Sequence, residues 1–184
     1  MLSKLKNLIF RKKDEPLDKF LVFVGLVDTY LKREHPKIKF DYSIKDELQK
    51  EDSLKVKKSL FILDMIRQFA EFPYEKKTQN SVNKEMLWSG YGANSQPNPR
   101  QPHDFSRRRE LIFLRDKATC NRCGNTIDDI KDMLTIFIQD TKDGGGYNVE
   151  NIACVCFSCY QVLSSDKNYT QIHIALREKL YDLV

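Results

Sequence analysis

The sequence predicts a mostly helical α+β protein, in which an N-terminal helical region precedes a small cysteine-rich module with flanking helices. Apolar residues recur at helical spacing through much of the first 77 residues. Residues 106–184 instead combine two CxxC pairs, a short apolar strand and a glycine-rich turn. We therefore expect a helical domain over 1–77, a linker over 78–105 and a metal-binding domain over 106–184.

The first strong helix should begin near Asp14-Glu15-Pro16, because acidic residues and proline favour the first turn of a helix. Its apolar residues continue at helical spacing up to Pro36. His35, which precedes this proline, is expected to cap the end of the helix. The apolar positions predict one buried face, made of Leu17, Phe20, Leu21, Val24, Val27 and Leu31.

A second strong helix should start after Ser53, whose hydroxyl can cap it, and should end before Pro73. Between the two helices, residues 37–43 alternate polar and apolar side chains, which predicts one short strand. Residues 78–106 are rich in Asn, Ser, Gly and Pro, a composition typical of a linker. The predicted apolar face of the second helix consists of Leu54, Phe61, Ile62, Met65, Ile66 and Phe69.

The C-terminal module should open with a helix over residues 107–118, capped by Ser106, with its arginines facing solvent. Leu111, Ile112 and Leu114 are expected to face inward. The strand LTIFI (134–138) and the turn KDGGG (142–146) lie between the two CxxC pairs. A last amphipathic helix, capped near Asn168 or Thr170, should pack through Ile172, Ile174, Leu176, Leu180 and Leu183.

Composition and charge narrow the location and partners of the chain. No apolar run approaches the roughly 18 to 20 residues that span a bilayer, so no membrane span is expected. Residues 1–13 are basic and amphipathic but lack the features of a secretion signal, which favours a cytoplasmic protein. This segment should dock on the fold; weak binding to a membrane surface is the alternative. The net charge is +5, but residues 79–184 are balanced, so the charge alone does not indicate nucleic-acid binding.

The five cysteines fall in a pattern that predicts a structural metal site. Two CxxC pairs suit a tetrahedral zinc ion, because each pair can reach one metal from a tight turn. Gly124 directly after the first pair can adopt the positive φ that such a turn needs. Disulfides or a redox CxxC are the alternatives, and an odd cysteine count in a cytoplasmic setting argues against both. The predicted zinc ligands are Cys120, Cys123, Cys156 and Cys159, with Cys154 as a buried neighbour.

The order of these elements resembles the HNH endonuclease family. The resemblance covers roughly residues 107–165: a helix ending in Leu-Arg-Asp, a CxxCG, an apolar strand, a Gly-Gly turn, an Asn in "ENI" and a second CxxC. Its most specific part is GGGYNVENIACVCFSC, residues 144–159. There, Gly144-Gly145, Asn151 and Cys156 keep the family's spacing. The resemblance implies a zinc-stapled ββα fold, in which Asn151 braces the loop that holds the general base.

The catalytic positions of that family are not kept in this chain. By the same spacing, the general-base histidine falls on Phe137 and the acid before it falls on Ile136. Tyr160 stands after the last cysteine, where a histidine is common in the family. Losing a positioned base typically costs about 10²- to 10⁴-fold in rate, and losing the divalent-metal site removes Lewis-acid stabilisation as well. The resemblance therefore implies a nuclease-like fold that is inactive.

An active metal-dependent DNA endonuclease that uses displaced residues is the alternative. Asp140 and Asp143 could bind Mg²⁺ from the turn, and His103 or His173 could act as a surrogate base. However, aspartates beside glycines are ordinary turn residues, and a histidine in a proline-rich linker is ordinarily exposed. We therefore expect no catalytic residues, although the sequence leaves the enzymatic status open.

Our hypothesis for the function is a binding or assembly subunit in a phage, mobile-element or defence-type complex. A helical region joined to a zinc-stabilised module suits binding of a protein partner. DNA is a second possible partner, although an arginine run on a helix more often forms a solvated face, and residues 123–184 are acidic. The residues that would contact DNA phosphates are Arg100, Arg107, Arg108, Arg109 and Arg115.

Overall fold

The computed structural model describes residues 18–77, 100–164 and 176–183. The fold is mostly helical with one small antiparallel sheet, as the sequence predicts. Residues 176–181 are also helical. The elements, in chain order, are α1 (Lys19–Glu34), α2 (Ile44–Glu47), α3 (Leu54–Glu71), α4 (Phe105–Arg115), β1 (Leu134–Phe137), β2 (Ile152–Val155) and α5 (Phe157–Ser164).

Helix α1 starts at an aspartate cap and buries one face. The Asp18 carboxylate accepts hydrogen bonds from the N–H groups of Phe20 and Leu21, at 2.8 and 3.4 Å. The expected start at residues 14–16 and the expected core residue Leu17 lie outside the described residues. The prediction that Leu21 is buried was wrong: its side chain is 47% exposed, because it lies beside the face of α1 that packs on the core. The buried line is Phe20, Phe23, Val24, Val27 and Leu31.

Residues 37–43 do not form the predicted strand, because their backbone groups bond elsewhere. The N–H of Lys37 donates to the carbonyl of Cys123 at 2.9 Å. The N–H and the carbonyl of Asp41 both bond the side-chain amide of Gln68, at 2.7 Å each. A segment whose backbone is satisfied in this way has no need of a neighbouring strand.

Helix α3 confirms its predicted cap and its predicted face. The Ser53 hydroxyl accepts a hydrogen bond from the N–H of Val56 at 3.4 Å. Leu54 is partly buried at the start of the helix. Five of the six predicted apolar residues are fully buried: Phe61, Ile62, Met65, Ile66 and Phe69.

Helix α4 differs from its prediction in its start and in its inner face. It begins at Phe105, so Ser106 lies inside the first turn and Asp104 occupies the N-cap position without a capping side-chain bond. Ile112 is buried and Leu111 is partly buried, as expected. Leu114 was expected to face inward but is 69% exposed. Arginines take inner positions of this helix because nearby loops present backbone carbonyls that need donors.

The sheet and the last described helix complete one shared core. Strands β1 and β2 pair antiparallel, with Leu134 opposite Val155 and Phe137 opposite Ile152, and α5 packs on β1. The helix at 176–181 buries Leu176 and Leu180 as predicted, and its Tyr181 hydroxyl donates to Ser59 of α3 at 2.8 Å. The predicted cap at 168–170 and the predicted core residues at 172 and 174 lie outside the described residues. Buried residues of the N-terminal helices and of the cysteine-rich part thus form one apolar cluster. No helix among the described residues has the length and hydrophobicity to cross a bilayer.

Candidate metal centre

Four cysteine sulfurs meet in the interior of the protein. The ligand atoms of Cys120, Cys123, Cys156 and Cys159 all lie within 4.8 Å of one another, and all four side chains are buried. The first pair comes from the turn after α4, and the second pair spans the end of β2 and the first turn of α5. The sequence therefore placed these four residues together correctly. Cys154 is buried on β2, outside the cluster.

The cluster has the dimensions of a tetrahedral metal site. Four thiolates about 2.3 Å from a central zinc ion would lie roughly 3.8 Å apart. The sulfurs of Cys123 and Cys156 are 3.7 Å apart, close to that spacing. An all-sulfur donor set suits zinc and other thiophilic metals rather than magnesium or calcium. Because all four positions would be filled by protein, such a centre would be structural and would have no open position for a substrate.

The protonation of the four thiols is coupled. The pKa of Cys120 is lowered, because its sulfur accepts hydrogen bonds from the thiols of Cys123, Cys156 and Cys159. The pKa of Cys123 is raised, chiefly because it donates its proton to Cys120. Burial raises the pKa of Cys154 to about 12, which keeps this thiol protonated at neutral pH. The arrangement therefore favours ionisation of Cys120 within the cluster, while Cys123 keeps its proton and Cys154 stays neutral.

The turn that carries the first cysteine pair depends on Gly124. This glycine has φ +81°, and its N–H donates to the carbonyl of Cys120 at 2.9 Å. A Cβ at this position would lie 2.9 Å from the side chain of Lys37 and 3.1 Å from that of Pro36. The predicted positive φ is confirmed, and the close approach shows that the turn packs directly against the end of α1.

Arg122 connects the same turn to the end of α3. This side chain is only 1% exposed. Its guanidinium donates to the carbonyls of Phe69, Phe72 and Ala70, at 2.5, 3.2 and 3.4 Å, and to the sulfur of Cys159 at 3.6 Å. It also lies over the rings of Phe69 and Phe72, 4.9 and 5.5 Å from their centroids. One buried cation therefore serves both the thiolate cluster and the C-terminal carbonyls of a helix.

His35 is buried beside the junction between the cysteine turn and α3. Its backbone N–H donates to the carbonyl of Leu31 at 2.8 Å, so the predicted helix cap is confirmed. Its ring is 2% exposed and packs 4.7 Å from the ring of Phe69. Neither ring nitrogen has a hydrogen-bond partner among the described residues. Burial lowers the pKa of His35 to about 4, so the ring is neutral at pH 7.

A buried carboxylate holds α4 to the cysteine turn and to β2. Asp116 is fully buried and forms a two-pronged ion pair with Arg115, with N···O distances of 2.7 and 2.8 Å. The same carboxylate accepts from the side-chain amide of Asn121 at 2.6 Å and from the N–H of Cys154 at 2.9 Å. The Leu-Arg-Asp sequence at the end of α4 thus has a structural role in this module.

Asn151 braces the loop between the two strands. Its side-chain oxygen accepts from the N–H of Gln139 at 2.9 Å, and its amide donates to the carbonyls of Gln139 and Gly146 at 3.0 and 2.8 Å. Gly145 lies against this contact, because a Cβ there would overlap the Gln139 carbonyl and lie 2.8 Å from the Asn151 amide. The Asn151 side chain therefore holds the loop, and Gly145 allows the close approach on which these hydrogen bonds depend.

The loop that Asn151 braces leads back to an apolar strand. Ile136 is buried, and Phe137 is partly buried against the edge of the Tyr147 ring, with centroids 5.0 Å apart. Tyr147 in turn meets Phe105 edge to face at 5.4 Å. Tyr160 is partly buried on α5. Hydrocarbon therefore occupies the place where the resemblance would put an acid and a base.

The acidic residues proposed as substitutes belong to no cluster of three or more potential metal ligands among the described residues. The carbonyl of Asp140 accepts from the N–H groups of Asp143 and Gly145, at 2.9 and 3.0 Å, so the two aspartates bracket a tight turn. Among the described residues, the four cysteines are the one group of three or more potential ligands close enough to share a metal. His103 is exposed in the turn before α4. His173 lies outside the described residues.

The five arginines suggested for DNA contacts fall into two groups. Arg100 and Arg107 are exposed, and Arg107 pairs with Glu110 at 2.6 Å. The expectation that the helix arginines face solvent was wrong for the other three. Their guanidinium groups donate to backbone carbonyls: Arg108 to Tyr147, Arg109 to Ile130 and Met133, and Arg115 to Val149 and Ile152.

Comparison with family models, with curated proteins and with solved structures found no match for this chain. The contacts of the site therefore carry the functional interpretation. Sequence reasoning missed two of the site's principal residues, Arg122 and the carboxylate of Asp116. A signal for the first was present in the sequence: a basic residue within the CxxC, together with the absence of a basic residue in the last turn of α3.

Proposed function

We propose that this chain is a zinc-stabilised, HNH-like module without catalytic residues, which acts as a binding or assembly subunit. The observation that carries the proposal is that the residues holding the backbone together are present, whereas the neighbouring end of β1 carries only apolar side chains. The four buried cysteines and the loop that Asn151 braces would supply the scaffold of such a module. By the resemblance, Ile136 and Phe137 stand where the acid and the base would be. Neither side chain can accept a proton or bind a hard cation.

The contacts of Phe137 favour a module without catalysis over one in which other residues supply the base and the metal ligands. A surrogate base or metal ligand would have to reach the same point, where Phe137 packs against Tyr147. Asp140 and Asp143 lie in the following turn without a third ligand among the described residues. We therefore favour a non-catalytic module over the alternative of an active endonuclease that uses these aspartates.

A protein partner is favoured over DNA by the positions of the arginines. Phosphate binding needs side chains that are free to reach a nucleic-acid backbone. Arg108, Arg109 and Arg115 are engaged with carbonyls of their own chain. Binding of a protein in a phage, mobile-element or defence-type complex is therefore our preferred role. Gel shifts that weaken steeply with salt and disappear in an Arg100→Ala/Arg107→Ala variant would instead favour DNA.

A nuclease assay tests the absence of catalysis. Zinc-loaded protein is incubated with supercoiled plasmid and with single-stranded DNA in the presence of Mg²⁺ or Mn²⁺. We expect no nicking above the rate of a metal-only control. Nicking that is abolished by Asp140→Ala or Asp143→Ala would overturn the proposal. A variant with substitutions at exposed Lys131 and Asp129, which pair at 3.8 Å, serves as a matched control for preparation and contamination.

A reversion experiment tests the HNH-like scaffold itself. An Ile136→Asp/Phe137→His variant restores an acid and a base at the positions that the resemblance assigns, and Tyr160→His adds a ligand candidate on α5. If the scaffold is of this kind, the triple variant should bind Mn²⁺ and nick plasmid slowly. A folded, zinc-loaded triple variant without Mn²⁺ binding would count against the resemblance while leaving the structural zinc site intact.

A further inference from the structure

The outward face of α1 presents a run of uncharged residues to solvent. The helix turns its buried line toward the core, and Leu21, Val22 and Leu26 lie on the other side, each more than two-fifths exposed. Gly25 and Thr29 complete this face and are also exposed. Exposed helix faces normally carry charge, so an uncharged one usually marks a contact surface.

Gly25, at the centre of this face, is not required by packing against any of the residues that the structure describes. Glycine is unfavourable in the middle of a helix relative to alanine. A Cβ at position 25 would meet no atom within 4 Å, so packing inside the described chain does not require its absence. A small residue on an exposed helix face instead allows a second helix to approach closely.

The charges that flank this face have two-fold symmetry about Gly25. Asp18 precedes Gly25 by seven residues and Lys32 follows it by seven, while Leu21 and Thr29 lie four residues to either side. At 1.5 Å per residue, two antiparallel copies of α1 crossing at Gly25 would place Asp18 of one level with Lys32 of the other. The apolar and hydroxyl side chains at positions 21 and 29 would also meet. The spacing of seven and four is that of a helix–helix seam.

We infer that the outward face of α1 binds a second copy of this chain, through an antiparallel α1–α1 contact centred on Gly25. A second copy fits better than an unrelated partner, because the antiparallel pairing brings the acid at one end of the face to the base at the other end. Lys32 is free to extend to the other copy, since its side chain is 71% exposed and its bond to Asp28 is a surface ion pair. The inference does not depend on the HNH-like proposal, because it uses none of the residues of the metal module.

The contact is short, so we expect a weak and reversible dimer. One helix pair that meets over about four turns, from Asp18 to Lys32, buries less than the roughly 1,200 Å² of a standard interface. We therefore expect a dissociation constant in the micromolar range. Sedimentation of the zinc-loaded full chain between about 5 and 200 µM should therefore show the 21.6 kDa monomer giving way to a species of twice that mass. A monomer throughout this range would overturn the inference.

Variants on this face separate the contact from the fold. Gly25→Trp should weaken dimerisation at least tenfold while leaving the circular dichroism and the zinc content unchanged, because its side chain projects into open space. Leu60→Glu, on the exposed face of α3, is the matched control and should leave dimerisation unchanged. The opposite pattern, with Leu60→Glu monomeric and Gly25→Trp dimeric, would place the interface elsewhere.

A charge rescue tests the antiparallel register. Lys32→Glu places two acids opposite each other and should weaken the dimer. Adding Asp18→Asn removes one charge but keeps an oxygen that can cap α1, so association should partly return. No recovery in the double variant would contradict the register. Binding of phosphatidylglycerol vesicles by a chain that stays monomeric, lost on Leu21→Glu, would assign the face to lipid and overturn the inference.

Discussion

Truncating Arg122 should destabilise both parts of the fold, because this side chain joins the cysteine cluster to the end of α3. Arg122→Ala removes a buried cation that donates to the last carbonyls of α3, to that of the following Phe72, and to the sulfur of Cys159. Helix α3 has no basic residue in its own last turn, so Arg122 supplies the cation that its C-terminus would otherwise lack. The substitution therefore uncaps a helix and also removes a positive group beside the thiolates.

The expected loss follows from these contacts. Leaving buried acceptors without donors costs about 1–3 kcal/mol each, although such values do not add fully. Loss of the contacts with the rings of Phe69 and Phe72 adds about 1–2 kcal/mol. Together with a cavity the size of an arginine side chain, we expect a loss of roughly 3–5 kcal/mol in the free energy of unfolding. That is a large share of the roughly 5–15 kcal/mol typical of a domain.

Urea denaturation of the zinc-loaded protein, followed by circular dichroism, measures this loss, and a metallochromic dye measures zinc release in parallel. Arg107→Ala is the matched control, because its guanidinium is 59% exposed and pairs only at the surface, so it should cost less than about 0.5 kcal/mol. Arg122→Lys keeps the charge but loses the forked geometry and should fall between the two. A loss below about 1 kcal/mol for Arg122→Ala would show that the junction contributes little.

Three further predictions concern the metal, the loop and pH. Cys156→Ser should lower the zinc content from about one ion per chain and unfold the C-terminal part, because structural zinc contributes on the order of 10 kcal/mol; Cys154→Ala, outside the cluster, should retain full zinc by mass spectrometry. Asn151→Ala should cost about 1–3 kcal/mol in urea denaturation, since it breaks three hydrogen bonds of the loop. Burial lowers the pKa of His35 to about 4, so the unfolded chain binds more protons than the folded chain between pH 6.5 and 4. The free energy of unfolding should therefore fall as pH decreases through this window. In His35→Phe, compared at equal zinc content, it should fall less steeply.

The helices and the cysteine cluster were predictable because their signals are local or use rare residues. The apolar spacing of α3 defines its face without any knowledge of the rest of the fold, and two CxxC pairs leave few ways to place four thiols. Ser53 at the start of α3 is likewise a local signal. In each case, the residue's neighbours in the sequence determine its environment.

The sequence-based predictions fail where residues distant in the sequence form hydrogen bonds that the local pattern does not reveal. Residues 37–43 have a strand-like pattern, but Cys123 and Gln68 bond their backbone instead. The pattern of the α4 arginines predicts a solvated face, but loops 21 to 39 residues further along the chain present carbonyls to them. Leu114 is exposed because Arg115, beside it, takes the inner position and pairs with Asp116. No sequence period encodes such contacts, because the partners are set by tertiary packing.

In this fold, the residues that hold the backbone together are distinct from the residues at the end of β1, where the resemblance would place catalytic groups. The cysteines, Asp116 and Asn151 hold backbone segments together, so replacing any of them would leave buried groups without partners. The side chains at the end of β1 form no such hydrogen bonds, and apolar side chains there gain contacts with Tyr147. Apolar residues at these positions therefore stabilise the fold, whereas loss of a bound metal would weaken the junction on which α3 and the sheet both depend. The four clustered cysteines are thus expected to be required for folding, whatever the residues at the end of β1 do.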